Sequence, residues 1–111
     1  MVFGSDLSKV EKLVAKKKDA ELAKLSGSKD EAVRLAAIAG MGKVGGEVCY
    51  NTLVSLLRSP EPQVRIAVAN AMAELADPKL RAHIEHLAKS ESDPKVAAAL
   101  HAALGKIKDK I

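Results

Sequence analysis

The chain has 111 residues, of which 18 are basic and 14 acidic, and only 2% are aromatic. This length favours one domain with a modest core, which must be aliphatic because the chain contains no Trp. The net charge of +4 lies mostly at the two chain ends, so the concentrated basic patch that phosphate binding needs is missing. The single cysteine excludes an intrachain disulfide.

The first residues and the least charged stretch bear on targeting. The opening MVFGSDLSKVEK has neither the basic n-region nor the apolar h-region of a secretory signal. The least charged stretch, 35–57, contains Lys43, Glu47 and the Gly45-Gly46 pair, which favours two helices over a membrane span. We therefore expect a cytoplasmic protein that does not enter the membrane.

Two helices are predicted before residue 30. The first has an apolar stripe at helical spacing, formed by Leu7, Val10, Leu13 and Val14. Ser5 or Ser8 is predicted to cap this helix, and Ser8 has Glu11 three residues later, the spacing of a capping box. The lysine run at 16–18 is interpreted as a solvated helix end. Asp19 is the predicted cap of a short second helix.

Five further helices are predicted over 30–44, 47–58, 61–76, 78–89 and 94–108. Asp30 is the predicted cap of the first of them, and the Gly45-Gly46 pair ends it. Three prolines each follow an acidic residue and suit the first turn of a helix, where no N–H is needed. The predicted caps before these prolines are Glu61, Asp77 and Asp93.

The helix patterns repeat along the chain. Val33, Val64 and Val96 stand at corresponding positions, 31 and then 32 residues apart. Self-similarity at this period predicts stacked helical units, and no alternating runs of strand-forming residues compete with that interpretation. In this register Leu56 is expected to be fully buried between two units.

The motifs DEAVRLAA, EPQVRIAV, LGKIK and ADPKLRAHIEHLAKS resemble HEAT repeats, in the short bacterial and archaeal form also found in phycobilin lyases. The resemblance covers about residues 19–108. It implies that Arg34 and Arg65, which match the arginine of the family, interact with acidic groups of neighbouring units. The third copy has Ala97 at this position, which suits a terminal unit.

Together these observations predict an all-α fold: a right-handed α-solenoid of about three HEAT-like helix pairs with an N-terminal capping helix. The expected domain is single, with a capping helix over 1–18 and repeats over 19–45, 46–76 and 77–111.

Three motifs raise the question of chemistry. The glycines of the G-x-G-x-x-G pattern at 40–45 close a helix rather than follow a strand, which favours close packing over dinucleotide binding. His83, Glu85 and His86 could share a metal, yet their order is opposite to the His-Glu dipeptides of related di-iron hydroxylases, so we interpret them as surface residues. Cys49 is interpreted as a small packed residue. We therefore predict no enzyme, no cofactor and no metal site.

The repeated helix carries small apolar residues on the face opposite Val33, at 100° per residue. In HEAT arrays this second helix of each pair lines the concave face. The predicted partner-binding surface is Leu35, Ile38, Ile66, Ala69, Asn70, Ala73 and His101. An exposed apolar patch of this kind typically marks an interaction site for a protein partner. The alternative is that the opening helix of the chain, or a second copy in a homodimer, covers it.

The function expected from these features is that of a non-enzymatic scaffold or adaptor for protein–protein interaction. Two alternatives stay open: a nucleic-acid-binding module that uses the terminal lysines, and, by family resemblance alone, an accessory subunit of a lyase-like enzyme. Nucleic acid is disfavoured because the predicted concave face is not basic and offers few aromatic rings for base stacking.

Overall fold

Residues 3–107 are described by the structure, a computed structural model, with side chains from Leu7 onward. Within this range the chain forms seven α-helices and one 3-10 turn, and no strand. They are α1 (Phe3–Ala15), α2 (Asp19–Leu25), α3 (Glu31–Val44), α4 (Gly46–Leu56), α5 (Pro62–Leu75), the turn (Pro78–Leu80), α6 (Arg81–Ser90) and α7 (Pro94–Lys106). The prediction of an all-α fold is confirmed.

The helices pack in two layers. In the first, which we call the odd-helix layer, α1, α3, α5 and α7 lie side by side. Helices α2, α4 and α6 form the second layer, each packed against the odd-numbered helix that follows it in the chain. The Cα extents are 43 × 30 × 18 Å, and the shortest fits two layers of helices whose axes lie about 8–10 Å apart. Three helix pairs stacked after α1 therefore form an α-solenoid, as predicted.

Equivalent side chains of the three pairs fill the core between the layers. The side chains at one such position are all fully buried: Leu22, Leu53 and Ile84. Each contributes roughly 1.5–3 kcal/mol through burial. Leu56 is only half-buried, so the prediction of its full burial is wrong. Leu57 takes the core position instead, because it lies about 40° around the helix from Leu53, whereas Leu56 lies about 60° away on the other side.

Three of the four aspartates predicted as caps, Asp30, Asp77 and Asp93, accept hydrogen bonds from the first free N–H groups of the helix or turn that follows. Asp30 Oδ1 accepts from Val33 N–H at 3.2 Å. Asp93 Oδ1 accepts from Lys95 and Val96, and Asp77 Oδ1 accepts from Lys79. Glu61 occupies the N-cap position of α5, as predicted, but its side chain makes no capping hydrogen bond. Its carboxylate pairs with an arginine of the preceding unit instead.

The predicted starts of the first two helices are also corrected. α1 begins at Phe3, which places both Ser5 and Ser8 inside the helix rather than at its cap. Asp19 is the first residue of α2, and Lys18 occupies the capping position without a side-chain bond. The chain reverses between these helices because Lys17 adopts a left-handed conformation with φ of 57°. Hydrogen bonds from Lys17 and Lys18 back to the last turn of α1 complete a Schellman motif.

Candidate binding surface

Two arginines fix the spacing of the odd-numbered helices. Arg34 Nη1 donates to the Ser28 carbonyl at 2.8 Å, and Nη2 lies 3.3 Å from Oε1 of Glu61 in the next unit. Arg65 Nη1 donates to the Ser59 carbonyl in the same way, at 2.8 Å. Its Nε and Nη2 donate to the two carboxylate oxygens of Glu91, at 2.9 and 3.0 Å. Both arginines thus reach acidic groups of the following unit, as the family resemblance implied.

The links made by Arg34 and Arg65 differ because of the residue two positions before the helix cap. This residue is a serine in the first two units, Ser28 and Ser59, and Glu91 in the third. Ser28 and Ser59 each accept, through Oγ, the N–H two residues later, and Glu91 accepts the Asp93 N–H through Oε2 at 3.1 Å. The Glu91 carboxylate accepts from Arg65 in addition to the Asp93 N–H, whereas the serine hydroxyls accept only the backbone N–H. Arg34 Nε is accordingly buried without a hydrogen-bond partner. The Arg65 hydrogen bonds, despite the opposing effect of burial, lower the pKa of Glu91 below its ordinary value.

The structure corrects two residues of the predicted binding surface. Ile38 and Ala69 are fully buried within a single chain, so their predicted exposure is wrong. α3 is contacted on both sides by its neighbours in the odd-helix layer. A Cβ on Gly40 would lie 2.7 Å from Val14 of α1, and one on Gly42 would lie 2.8 Å from Ala71 of α5.

The error has a geometric reason. Periodicity alone gives each repeated helix a core face and an opposite solvent face. A helix inside the stack is also covered on its sides by the odd-numbered helices before and after it. At 100° per residue, the exposed arc of α3 (Ala32, Ala39 and Lys43) is centred about 80° away from the predicted one. Ile38 falls on the side facing α5, whereas Ala39, one residue later, is exposed.

The other predicted residues keep some exposure. Leu35, Ile66 and Ala73 are half-buried, and Asn70 and His101 are exposed. We define the odd-helix surface by its exposed residues away from the second layer: Ala32, Ala39 and Lys43 of α3, Gln63, Asn70 and Glu74 of α5, and Lys95, Ala102 and Lys106 of α7. This surface is more polar than the sequence pattern predicted.

Two polar contacts cross the odd-helix surface between units. Lys43 Nζ lies 3.4 Å from Glu74 Oε2, and Gln63 Nε2 donates to Glu31 Oε2 at 3.0 Å. All four side chains are exposed, so each contact contributes little to stability. For recognition by a partner, they place charged side chains at known positions along the odd-helix surface.

An apolar groove lies between α1 and α3. Its volume is about 420 Å³, and its lining is Leu7, Val10, Glu11, Val14, Ala36, Ala39, Gly40 and Lys43. Leu7 is 38% exposed, one of the two most exposed large apolar side chains among the described residues. Glu11 and Lys43 place opposite charges in its lining. Sequence reasoning missed this groove because α1 was treated only as a cap, although the apolar stripe of α1 was visible.

The residues considered for chemistry include a buried thiol and a histidine that packs on an aromatic ring. Cys49 is fully buried, and its pKa is raised, first by burial and then by the charge of Asp19. His83 lies edge-on to Tyr50, with 6.1 Å between ring centroids. Among the side chains that the structure describes, no three His, Cys, Asp or Glu residues lie close enough to hold a metal ion. Gly45, with φ of 74°, ends α3 as predicted.

Comparison with known proteins identifies the repeats. A family model described as HEAT repeats matches residues 19–109, which is most of the chain. No curated protein matches the chain. Within residues 3–107, every helix falls short of the length and apolar character needed to cross a membrane.

Proposed function

Because this chain belongs to the HEAT-repeat family, a family whose members generally mediate protein–protein interaction, we propose that it is a non-enzymatic adaptor. It binds an amphipathic helix of a partner protein in the groove between α1 and α3. The observation that carries this proposal is the apolar lining of the groove beside the exposed side chain of Leu7.

A helix is the occupant that this groove fits. Leu7, Val10 and Val14 stand at helical spacing on one wall. Val10 is buried at its base, and the exposed Leu7 and half-buried Val14 can interdigitate with the side chains of a third helix. The other wall carries the small residues Ala36 and Ala39, which let a helix backbone approach closely, while Gly40 below them is already covered by Val14. The partner helix therefore has an apolar stripe flanked by charges that complement Glu11 and Lys43.

The half-buried side chains of the predicted surface extend the site. Leu35 lies one helical turn before Ala39 on α3, and Ile66 holds the equivalent position on α5. Asn70, Ala73 and His101 lie further along the stack, where a longer partner segment would reach them. The partner helix is expected to bind mainly in the groove, and these residues would make additional contacts at its margin.

The proposal is tested with Ala39→Glu. Ala39 is exposed, so a glutamate there leaves the fold intact, but it places a carboxylate on the α3 wall of the groove and disfavours an apolar partner. The partner is isolated from the native cell extract with the wild-type chain, and its binding is then measured by calorimetry. Ala102→Glu is the matched control, because Ala102 holds the equivalent exposed position in the third unit.

We expect Ala39→Glu to abolish binding and Ala102→Glu to retain most of it, with unchanged circular dichroism in both. Equal binding by both variants would contradict the groove as the site. A gel-shift assay with duplex DNA addresses the nucleic-acid alternative. The exposed lysines of α1 are interspersed with Glu11, so we expect weak binding that is lost by about 0.2 M salt.

A further inference from the structure

Ser59 lies in the short connection between α4 and α5, at the position that Glu91 holds between α6 and α7. Both side chains bind their own loop in the same way. Ser59 Oγ accepts the Glu61 N–H at 3.2 Å, and Glu91 Oε2 accepts the Asp93 N–H at 3.1 Å. The Ser59 side chain is therefore directed as the Glu91 side chain is, on the side of the arginine of the preceding unit.

Arg34 is the arginine at this junction, and one of its donors is unused. Nη1 donates to the Ser28 carbonyl and Nη2 lies 3.3 Å from Glu61 Oε1, but the buried Nε has no hydrogen-bond partner. At the other junction, the Nε of Arg65 donates to a carboxylate. A buried donor without an acceptor is unfavourable, so an anionic acceptor at position 59 would stabilise the first junction.

Phosphorylation of Ser59 would supply that acceptor. The phosphoryl oxygens of a phosphoserine lie the same number of bonds from Cα as the carboxylate oxygens of a glutamate, and they carry a larger negative charge. Charge-assisted hydrogen bonds from a guanidinium to a phosphate are among the stronger ones in proteins. Glu61 contacts the same guanidinium, but its side chain is 46% exposed, so it can turn to solvent when the phosphate binds Arg34.

The surroundings of Ser59 make it accessible to an enzyme. Ser59 is half-buried, and its neighbours Arg58 and Pro60 are both exposed on the loop. Loops between packed elements are where local opening costs least. Ser28 holds the equivalent position in the first unit, but no arginine precedes it in the sequence. A phosphate on Ser28 would therefore lack the guanidinium that is available to one on Ser59.

We infer that Ser59 is a phosphorylation site, and that its phosphate stabilises the junction between the first and second helix pairs by binding Arg34. A protein kinase transfers the γ-phosphoryl group of a nucleoside triphosphate. Ser59 Oγ forms the new O–P bond, the bond from the γ-phosphorus to the nucleoside diphosphate breaks, and the hydroxyl proton passes to a base of the kinase. The modified junction then resembles that of Arg65 and Glu91.

The first test uses the full chain with phosphoserine inserted at position 59 during translation. We expect its unfolding midpoint to rise by about 4–8 °C relative to the unmodified chain, because Arg34 Nε gains a charged acceptor. In a phosphorus NMR titration, the second pKa of the phosphate should fall below its ordinary value of about 6. Phosphoserine at position 28 is the matched control, and it should give no rise.

Arg34→Lys separates the guanidinium from its charge, because lysine keeps the positive charge and has no Nε. In the Arg34→Lys background, phosphoserine at position 59 should give less than half of the rise in midpoint seen with the arginine. An unchanged or lower midpoint with phosphoserine at position 59, or an equal rise at positions 28 and 59, would overturn the role of Arg34.

The second test asks whether the cell uses the site. The chain is purified from its native cells, and a second sample is incubated with an extract of those cells and magnesium ATP. Mass spectrometry of the peptides then locates the phosphate. We expect it on Ser59, and Ser59→Ala should remove most of the incorporated phosphate. Phosphate absent from Ser59 in both samples, or confined to other residues, would overturn the inference.

Discussion

Arg65 and Glu91 form a two-bond ion pair between the second and third helix pairs. The Nε–Oε1 and Nη2–Oε2 distances are 2.9 and 3.0 Å, and the side chains are 15% and 3% exposed. The preceding link, from Arg34 to Glu61, has one longer contact and leaves Arg34 Nε without a partner. Of these two equivalent arginines, Arg65 has a hydrogen-bond acceptor for its Nε, whereas Arg34 does not.

The first prediction removes the carboxylate from the stronger link. Glu91→Ser should lower the free energy of unfolding by about 1–3 kcal/mol, because it leaves the buried Arg65 Nε without an acceptor. The serine can still accept the Asp93 N–H, as Ser59 does for Glu61, so the turn itself is retained. Urea unfolding measures the change. Stability equal to that of the wild type would mean that the pair contributes nothing net.

The second prediction transfers the stronger link to the first junction. The double variant Ser59→Glu, Glu61→Asp reproduces the arrangement of Glu91 and Asp93, with an acceptor for Arg34 Nε and an aspartate cap on α5. We expect the free energy of unfolding to rise by about 1 kcal/mol. Ser28→Glu is the control, since no described arginine precedes it in the stack. A gain in the control as large as in the double variant would contradict the explanation.

The third prediction concerns pH. Arg65 lowers the pKa of Glu91 in the folded state, so the unfolded chain binds the proton first as the pH falls. The stabilisation by the pair is therefore complete above the ordinary glutamate pKa of about 4.3, and it is lost as the pH drops through the lower folded value. The difference in unfolding free energy between the wild type and Glu91→Gln should shrink in that acidic window. A difference that stays constant down to about pH 2 would contradict this account.

The fourth prediction uses the same substitution at two alanines. Ala76 follows α5 with φ of 51°, where an L-residue is strained, and Gly45 fills the equivalent position after α3. Ala76→Gly should raise the unfolding free energy by about 1 kcal/mol. Ala102→Gly, in the exposed interior of α7, should lower it by about 1 kcal/mol. Thermal or urea unfolding gives both values, and the same sign for both would refute the strain at Ala76.

The repeat units and most helix caps were predictable from sequence because their signals are local. Val33 and Val64 set the register by their spacing, and Asp30 or Asp93 caps a helix through atoms three residues away or fewer. The exposed arc of α3 was not predictable in this way, because Val14 and Ala71 reach it from other helices. Periodicity separates apolar from polar faces, but it does not show which apolar residue meets a neighbouring helix and which meets solvent.

The last prediction follows from that distinction and compares two adjacent residues. Ile38 is fully buried between α3 and α5, whereas Ala39 is exposed on the odd-helix surface. Ile38→Asp should unfold the chain, because the carboxylate would be buried without a partner. Ile38→Ala should lower the unfolding free energy by about 2–5 kcal/mol through the cavity it leaves. Ala39→Asp should retain the helical circular dichroism spectrum and a nearly unchanged midpoint. A folded Ile38→Asp chain would mean that the stack is open at α3, and that Ile38 belongs to the binding surface after all.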